Sequence, residues 1–416
     1  MHHLVLIGAG HAHARVLRDW AQTTLELRPP AIRLTLVTPH ELAPYSGMVP
    51  GWLAGHFAWE ACCVNFRYLC QQAGAELRLG EVTRLDAERQ QLTLQDGTPL
   101  AYDTLSLNIG STLSPQTDGS VPLLPLRPLA ELQRGWQNMQ QQIRTLPADT
   151  EWHMLVLGGG PAGVESILSA QYRLAQIAPH VKLHWTLLTR GQEILPGMAR
   201  GAASRLLRLL RQRQIRVEHG FAASMIANGE VHAEGDRHIR ADGVLWATGA
   251  QAHRWPQQST LALDARGFIR IDAQLRSISH PNVFAVGDCC SWGNGDQEPA
   301  SDEAARKALH TAQLPKAGVF AVRMGPVLSH NLQARLRQIG RNTPALQNSE
   351  VQTPALQNPA LQAYAPQRHY LVLIGTGDAH ALANRGPFSW QGRWVWRWKN
   401  RIDRGFLAQF NPPPPL

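Results

Sequence analysis

The sequence predicts an α/β protein made of two similar units and a C-terminal segment, on three observations. A buried strand runs into a glycine turn and a helix at LVLIGAGHAHARVL (4–17). The same pattern returns at HMLVLGGGPAGVESILSA (153–170). A third buried strand, NVFAVGDCC (282–290), ends in a polar Gly-Asp pair.

The elements follow in order. Residues 3–8 read as a strand, Ala12 to about Leu27 as a helix and 32–38 as a second strand, a βαβ opening. YSGMVPGWLAGHF (45–57) is glycine- and proline-rich and loop-like. Residues 75–111 alternate short strands with turns, and Asp96-Gly97 marks a hairpin. The second unit repeats this plan, with a strand at 153–158, a glycine turn, a helix, a strand at 181–189 and a meander closing at VLWATGA (244–250). Residues 267–290 return to strand character and 316–340 read as helical. TPALQN occurs at 343–348 and again at 353–358, a composition that suits a linker. RHYLVLIGTGDAHALANRG (368–386) reads as two strands with a turn, followed by a tryptophan-rich tail. The expected domains are 1–150 with 258–340 as one discontinuous unit, 151–257 as the second, a linker at 341–366 and a C-terminal segment at 367–416.

Composition narrows the function classes. Hydrophobic residues make up 44% and charged residues 17%, as in an ordinary folded protein. No run approaches the length of a spanning helix. A strand starting by His3 leaves no room for a signal peptide, so a cytoplasmic location is expected. Cys62, Cys63, Cys70, Cys289 and Cys290 form no C-x-x-C and no zinc-ligand spacing, so they read as reduced and structural, and no metal site is expected. The net charge of +9 rests almost wholly on arginine. It comes with no nucleic-acid recognition motif and no basic-aromatic platform, which argues against nucleic acid as a partner.

Gly158, Gly160 and Gly163 have full G-x-G-x-x-G spacing between a strand and a helix. The first permits the turn, the second lets backbone approach a pyrophosphate, and the third lets helix and strand pack closely. Gly8 and Gly10 begin the same pattern, but His13 stands at the packing position, so that helix is expected to sit farther from its strand or to lean. Two Rossmann-like dinucleotide-binding units follow from this pairing. The residue that usually grips a ribose ends the second strand, and here it is Thr38 in one unit and Thr189 in the other. Arg190 either pairs with a 2′-phosphate, favouring NADPH, or is solvated at a strand end. His11 either faces phosphates protonated or is neutral and partly buried.

IGAGHAH, PYSGMVPG, GGGPAGVE, VFAVGDC, LPKAGVFAVR and GRWVWRWKNRIDRGF together resemble the two-dinucleotide-domain flavoproteins. That group includes the pyridine nucleotide-disulfide reductases and type II NADH dehydrogenases. The likeness is greatest to a branch also found fused ahead of selenophosphate synthetase domains. It implies FAD on the first unit and NAD(P)H on the second. By this resemblance Gly8, Gly10 and Ala12 meet the FAD pyrophosphate, Thr38 and Pro39 the adenosine ribose, and Val82 the adenine. Gly110, Gly249, Gly287 and Ala317 line the cofactors, Asp288 takes the ribityl or phosphate oxygens, and Tyr45 and Ser46 lie along the flavin. Glu165 matches the glutamate placed where nicotinamide meets flavin, and its alternative is a first-turn helix acid. Lys316 either sets positive charge beside the flavin pyrimidine or is a surface lysine.

Departures from the family pattern shape the expected reaction. The redox-active C-x-x-x-x-C that disulfide reductases carry soon after the first βαβ unit is missing, with no cysteine before Cys62, so electrons are expected to leave the flavin without a redox disulfide. The helix after Lys316 lacks the glutamines found near quinone in the type II NADH dehydrogenases. In the tail, Trp394, Val395, Trp398, Ile402 and Phe406 project onto one arc, with Arg393, Arg397, Arg401 and Arg404 opposite. Such a helix suits the inner face of a cell membrane, or packs on its own flavin unit or across a homodimer. The reading is an FAD-dependent NAD(P)H oxidoreductase that passes electrons to a small acceptor, with quinone as the candidate. A reductase of selenium or sulfur metabolism and a flavin-binding scaffold without turnover are the alternatives.

Overall fold

The computed structural model describes residues 1–23, 32–292, 316–341, 360–367 and 370–413. The expected end of the first helix near Leu27, the two TPALQN repeats and the last prolines lie outside the described residues.

In chain order the first unit contains β1 (His2–Ile7), α1 (His11–Gln22), β2 (Ile32–Thr38), the short α2 (Val49–Leu53), α3 (Phe66–Ala73) and β3 (Glu76–Leu79). A meander follows, β4 (Val82–Asp86), β5 (Gln91–Leu94) and β6 (Pro99–Ala101), and then β7 (Thr104–Leu107). The chain continues through β8 (Leu123–Pro125), α4 (Leu129–Arg144), β9 (Glu151–Leu157), α5 (Pro161–Ile177), β10 (Lys182–Leu188), α6 (Arg200–Gln212) and β11 (Ile215–Glu218). A second meander, β12 (Ala223–Ala227), β13 (Glu230–Ala233) and β14 (Arg237–Arg240), leads to β15 (Gly243–Trp246). After these come β16 (Val283–Ala285), α7 (Gly318–Arg341), β17 (Val372–Gly375), β18 (Ala381–Arg385), β19 (Phe388–Gly392) and α8 (Arg393–Leu407).

Two five-stranded parallel sheets organise the molecule, in the orders β16-β7-β1-β2-β3 and β8-β15-β9-β10-β11. Their central strands are apolar on both faces because helices cover both sides, which is why Leu4, Val5 and Leu6 are all buried. In each sheet the order reverses beside the first strand, between β1 and β7 and between β9 and β15. A reversal of this kind opens a crevice at the carboxyl ends of the strands, where ligands of such folds bind. The strands of each meander pair antiparallel outside these two sheets, and Gln116–Thr117 adds a parallel edge to the second meander.

The C-terminal segment adds a third antiparallel strand, β19, to the two that the sequence predicts. This small sheet lies on α5, where Gly377 (φ +82°) brings backbone so close that a Cβ would stand 2.7 Å from the Leu168 carbonyl. Helix α8 then crosses back to the first unit, and Asn411 beyond it hydrogen-bonds Asn65 and Cys63. No helix among the described residues is long and apolar enough to cross a membrane.

Candidate functional site

The two glycine turns solve one packing problem differently. At the second turn a Cβ on Gly163 would lie 1.8 Å from the Gly158 carbonyl oxygen, so helix and turn touch where only hydrogen fits. Among the described residues a Cβ on Gly160 would meet nothing within 4 Å, leaving open space at the N-terminus of α5. At the first turn His13 takes the packing position without pushing the helix into solvent. Its buried ring donates from Nδ1 to the Gly8 carbonyl (2.7 Å) and accepts at Nε2 from the Ser106 hydroxyl (2.9 Å). The ring therefore fills the gap it creates and ties α1 to both β1 and β7. Burial pushes its pKa down to about 4, so it is neutral.

Asn108, one residue past β7, was not singled out from the sequence. Its Oδ1 accepts from the Ala12 amide (3.1 Å) and its Nδ2 donates to the Val286 carbonyl (2.9 Å). It caps α1 from the strand side and stitches β7 to the strand that delivers the Gly-Asp pair. The signal available in sequence was a polar residue ending the otherwise apolar strand LSLN. Gly8 and Gly10 are small because Asn108 is there: a Cβ on either would come within 2.6 Å of it.

Around this crevice several predicted residues converge. Gly110 and Gly287 both adopt positive φ (+70° and +76°), and among the described residues a Cβ at Gly110 would meet nothing within 4 Å. Asp288 forms an ion pair with Arg127, which also donates to the Ser111 hydroxyl (2.5 Å) and the Lys316 carbonyl (2.9 Å). Arg127 is a second residue that sequence reasoning missed, because its partners lie in three distant segments. Lys316 donates to the Cys290 carbonyl (2.5 Å) and stands 3.7 Å over the Phe268 ring; burial lowers the pKa of its ammonium. Ala317 leads into α7, and a Cβ on Gly318 would come 2.9 Å from Ser46 and 3.9 Å from His11. The positive ends of α1 and α7 thus meet beside His11 and Ser46. Burial pushes the His11 pKa down to about 4. A backbone-lined crevice with helix N-termini and a carboxylate at its edge fits a dinucleotide pyrophosphate and polyol chain.

The remaining predicted residues lie at strand ends. Thr38 is buried and donates to the His40 carbonyl (3.2 Å), with Pro39 between them. Val82 is buried at the start of β4. Thr189 is buried at the end of β10, close under Gly159, and Arg190 beside it is exposed. Gly249, with φ +56° and no neighbour in its Cβ space among the described residues, closes the second meander.

Glu165 is drawn into a different cluster. Its buried carboxyl accepts from the Gly375 amide (2.7 Å) and lies 3.9 Å from the Lys399 ammonium. Lys399 hydrogen-bonds Asp403 (2.7 Å) and the Gly47 carbonyl, and Asp403 accepts from the Tyr45 phenol. Tyr45 in turn stacks on Phe406 at 4.6 Å and meets His11 edge-on at 5.4 Å. Burial pushes Glu165 up to about 7, against the pull of Lys399. Burial opposes charge on Lys399 as well, yet Glu165 and Asp403 hold its pKa above the ordinary lysine value. Burial raises Asp403, and Lys399 only partly offsets this. A cavity of about 20 Å³, room for a single water, opens beside Glu165, Lys399 and Asp403. The cluster joins α5, the 45–48 loop and α8.

Helix α8 also departs from the arc read from its sequence. The apolar arc divides: Trp394, Trp398 and Ile402 form an exposed ridge, whereas Val395, Lys399, Asp403 and Leu407 form the buried one. The seat of the helix is therefore half ionic, and the exposed tryptophans lie beside Arg393, Arg397 and Arg401. The i,i+4 spacing of Lys399 and Asp403 was the available signal. The five cysteines are buried free thiols, with those of Cys62, Cys63 and Cys70 raised by burial to about 12.

Residues 2–313 match the pyridine nucleotide-disulphide oxidoreductase family. The NADH dehydrogenase-like protein YutJ of Bacillus subtilis is 22% identical over 323 residues, covering 75% of this chain and 83% of that protein. Demethylphylloquinone reductase NdbB of Synechocystis is 27% identical over 54% of this chain and 56% of its own length. Among solved structures, the sulfide:quinone oxidoreductase of Aquifex aeolicus superposes with a TM-score of 0.73 at 17% identity, covering 99% of this chain and 91% of its own. NDH2 of Plasmodium falciparum, solved with NADH, gives 0.70 at 14% identity, covering 98% of this chain and 97% of its own. The chain belongs to the pyridine nucleotide-disulphide oxidoreductase family and is an oxidoreductase that uses FAD and NAD(P)H.

Proposed function

We infer that this enzyme oxidises NAD(P)H and delivers the electrons to a quinone-class acceptor at a membrane surface, with no redox disulfide between. The observation that carries this reading is Glu165, a carboxyl with a pKa of about 7 buried where α5, the 45–48 loop and α8 meet. Bound FAD supplies hydride acceptance and onward electron donation.

The protein's part is placement and proton handling. Gly158, Gly160 and Gly163 let the nicotinamide dinucleotide reach the N-terminus of α5, one turn from Glu165. Thr189 and Arg190 stand at its ribose end. Gly8, Gly10, His11, Ala12, Thr38, Pro39, Val82, Gly110, Gly287, Asp288 and Ala317 make the flavin-side cradle, and Gly249 closes the meander of the nicotinamide side. Tyr45 and Ser46 border the cradle, and the ion pair with Arg127 holds the Asp288 carboxylate in place. Lys316 and the N-terminus of α7 set positive potential at one edge, which favours electron-rich flavin. Glu165 holds a proton at its carboxyl below about pH 7 and releases it above. Lys399 keeps that carboxyl near neutrality and anchors Asp403.

Two further observations support the acceptor and the location. The buried, protonated thiols offer no dithiol relay. The exposed ridge of Trp394, Trp398 and Ile402, flanked by arginines, has the composition of an interfacial helix. The test is anaerobic mixing of the purified flavoprotein with NADH or NADPH, followed by quinones with and without anionic lipid vesicles. Flavin bleaching and quinone-dependent reoxidation that vesicles accelerate are expected. No bleaching overturns the first step, and reoxidation by sulfur or selenium species but not by quinones overturns the acceptor.

A further inference from the structure

We propose that Glu151, His153 and His184 form a binding site for a divalent transition metal of zinc type, oriented by Asp242, at the end of the second sheet away from the redox site. The sequence predicts no metal site because these residues do not form a linear ligand motif. Strand pairing brings them together: Glu151 and His153 alternate onto one face of β9, and the parallel register sets His153 directly opposite His184 on β10. The two imidazoles stack with centroids 4.8 Å apart and planes 18° apart. One ligand atom from each of the three residues lies within 4.8 Å of the others. A tetrahedral zinc ion needs ligand atoms about 3.3 Å apart, a closure that rotation of exposed side chains supplies.

The chemistry of His153 is set by its neighbour. Asp242 accepts from the His153 backbone amide (2.8 Å) and from ring Nδ1 (3.0 Å) with the same carboxylate oxygen. A carboxylate only accepts, so the proton sits on Nδ1 and Nε2 presents a free lone pair. This carboxylate–histidine arrangement is the one that orients metal-ligating imidazoles. Among the described residues, neither the Glu151 carboxyl nor the His184 ring has a hydrogen-bond or salt-bridge partner, and both are exposed. The nearby cations are engaged elsewhere: Lys182 pairs with Asp149 (3.1 Å) and Arg240 with the other oxygen of Asp242 (3.4 Å).

Two imidazoles and one carboxylate suit Zn²⁺, Ni²⁺ or Cu²⁺, whereas Mg²⁺ and Ca²⁺ require oxygen ligands. Three protein ligands leave a fourth position for water. Glu151 begins the seven-residue strand whose other end carries the Gly158 turn, so a metal here clasps β9 to β10 and stays out of electron transfer.

Untagged FAD-loaded enzyme, stripped with EDTA, is titrated with ZnCl₂ by calorimetry, and Co²⁺ spectra report the ligand set. One saturable equivalent is expected. H184A and E151Q, both at exposed positions, weaken it at least tenfold, and D242N weakens it by about tenfold or more. Flavin content and bleaching by NADH stay unchanged in all three. A parallel H232A/H238A variant, altering the other histidine pair on the same unit, leaves binding intact. Absence of saturable binding, or binding that survives H184A and is lost in H232A/H238A, overturns the proposal.

Discussion

At the scale of single residues, Gly163 and His13 occupy equivalent positions and make opposite demands. Gly163→Ala forces a Cβ to within 1.8 Å of backbone that cannot yield. A loss of about 3 kcal/mol is expected in denaturant unfolding. Gly160→Ala meets nothing within 4 Å among the described residues, so stability stays near wild type while KM for NAD(P)H is expected to rise as a pyrophosphate loses its approach. His13→Ala opens a cavity and orphans the Gly8 and Ser106 groups, at a cost of about 2–4 kcal/mol. The wild-type ring also carries a pH dependence. Its folded pKa of about 4 lies below the free value of 6.5, so the unfolded chain takes the proton first. Its contribution is full above about pH 6.5 and is lost as pH falls toward 4, by up to about 3 kcal/mol, readable as a falling denaturation midpoint. The glycine turns were legible in the sequence because their demand is local. The fit of His13 was not, since its partner Ser106 comes from a strand more than ninety residues away.

At the scale of elements, α8 holds its place through charge as much as through apolar contact. Lys399→Met removes the cation between two buried carboxyls, and a loss of about 3–5 kcal/mol is expected, with faster amide exchange across 393–407. Glu165→Gln keeps an oxygen for the Gly375 amide but has no proton to exchange. Its pH profile for acceptor reduction should lack the limb that wild type shows near pH 7. The existence of this helix and its amphipathic character could be read from sequence. Which face it buries could not, because Lys399 and Asp403 look like solvent residues until Glu165, Tyr45 and Gly47 are known to surround them. Arg127 and Asn108 escaped notice for the same reason, each being defined by partners in other segments.

At the scale of the whole molecule, the Trp394–Trp398–Ile402 ridge is exposed and available to a surface. Trp394→Ala with Trp398→Ala should reduce co-sedimentation with anionic vesicles at least tenfold and leave flavin bleaching in solution unchanged. Added salt should weaken wild-type attachment through the neighbouring arginines. The order of strands has another consequence, for how the chain comes off the ribosome. The second sheet is complete once residues 123–246 have emerged, with its strands close in sequence. The first sheet waits for β16, whose Val283 pairs with Leu105 across the entire second unit. A nascent chain therefore passes through a stage in which its second sheet can close while its first sheet stands with an open edge. Chains halted before residue 283 should hold no flavin after gel filtration, and full synthesis should trap it.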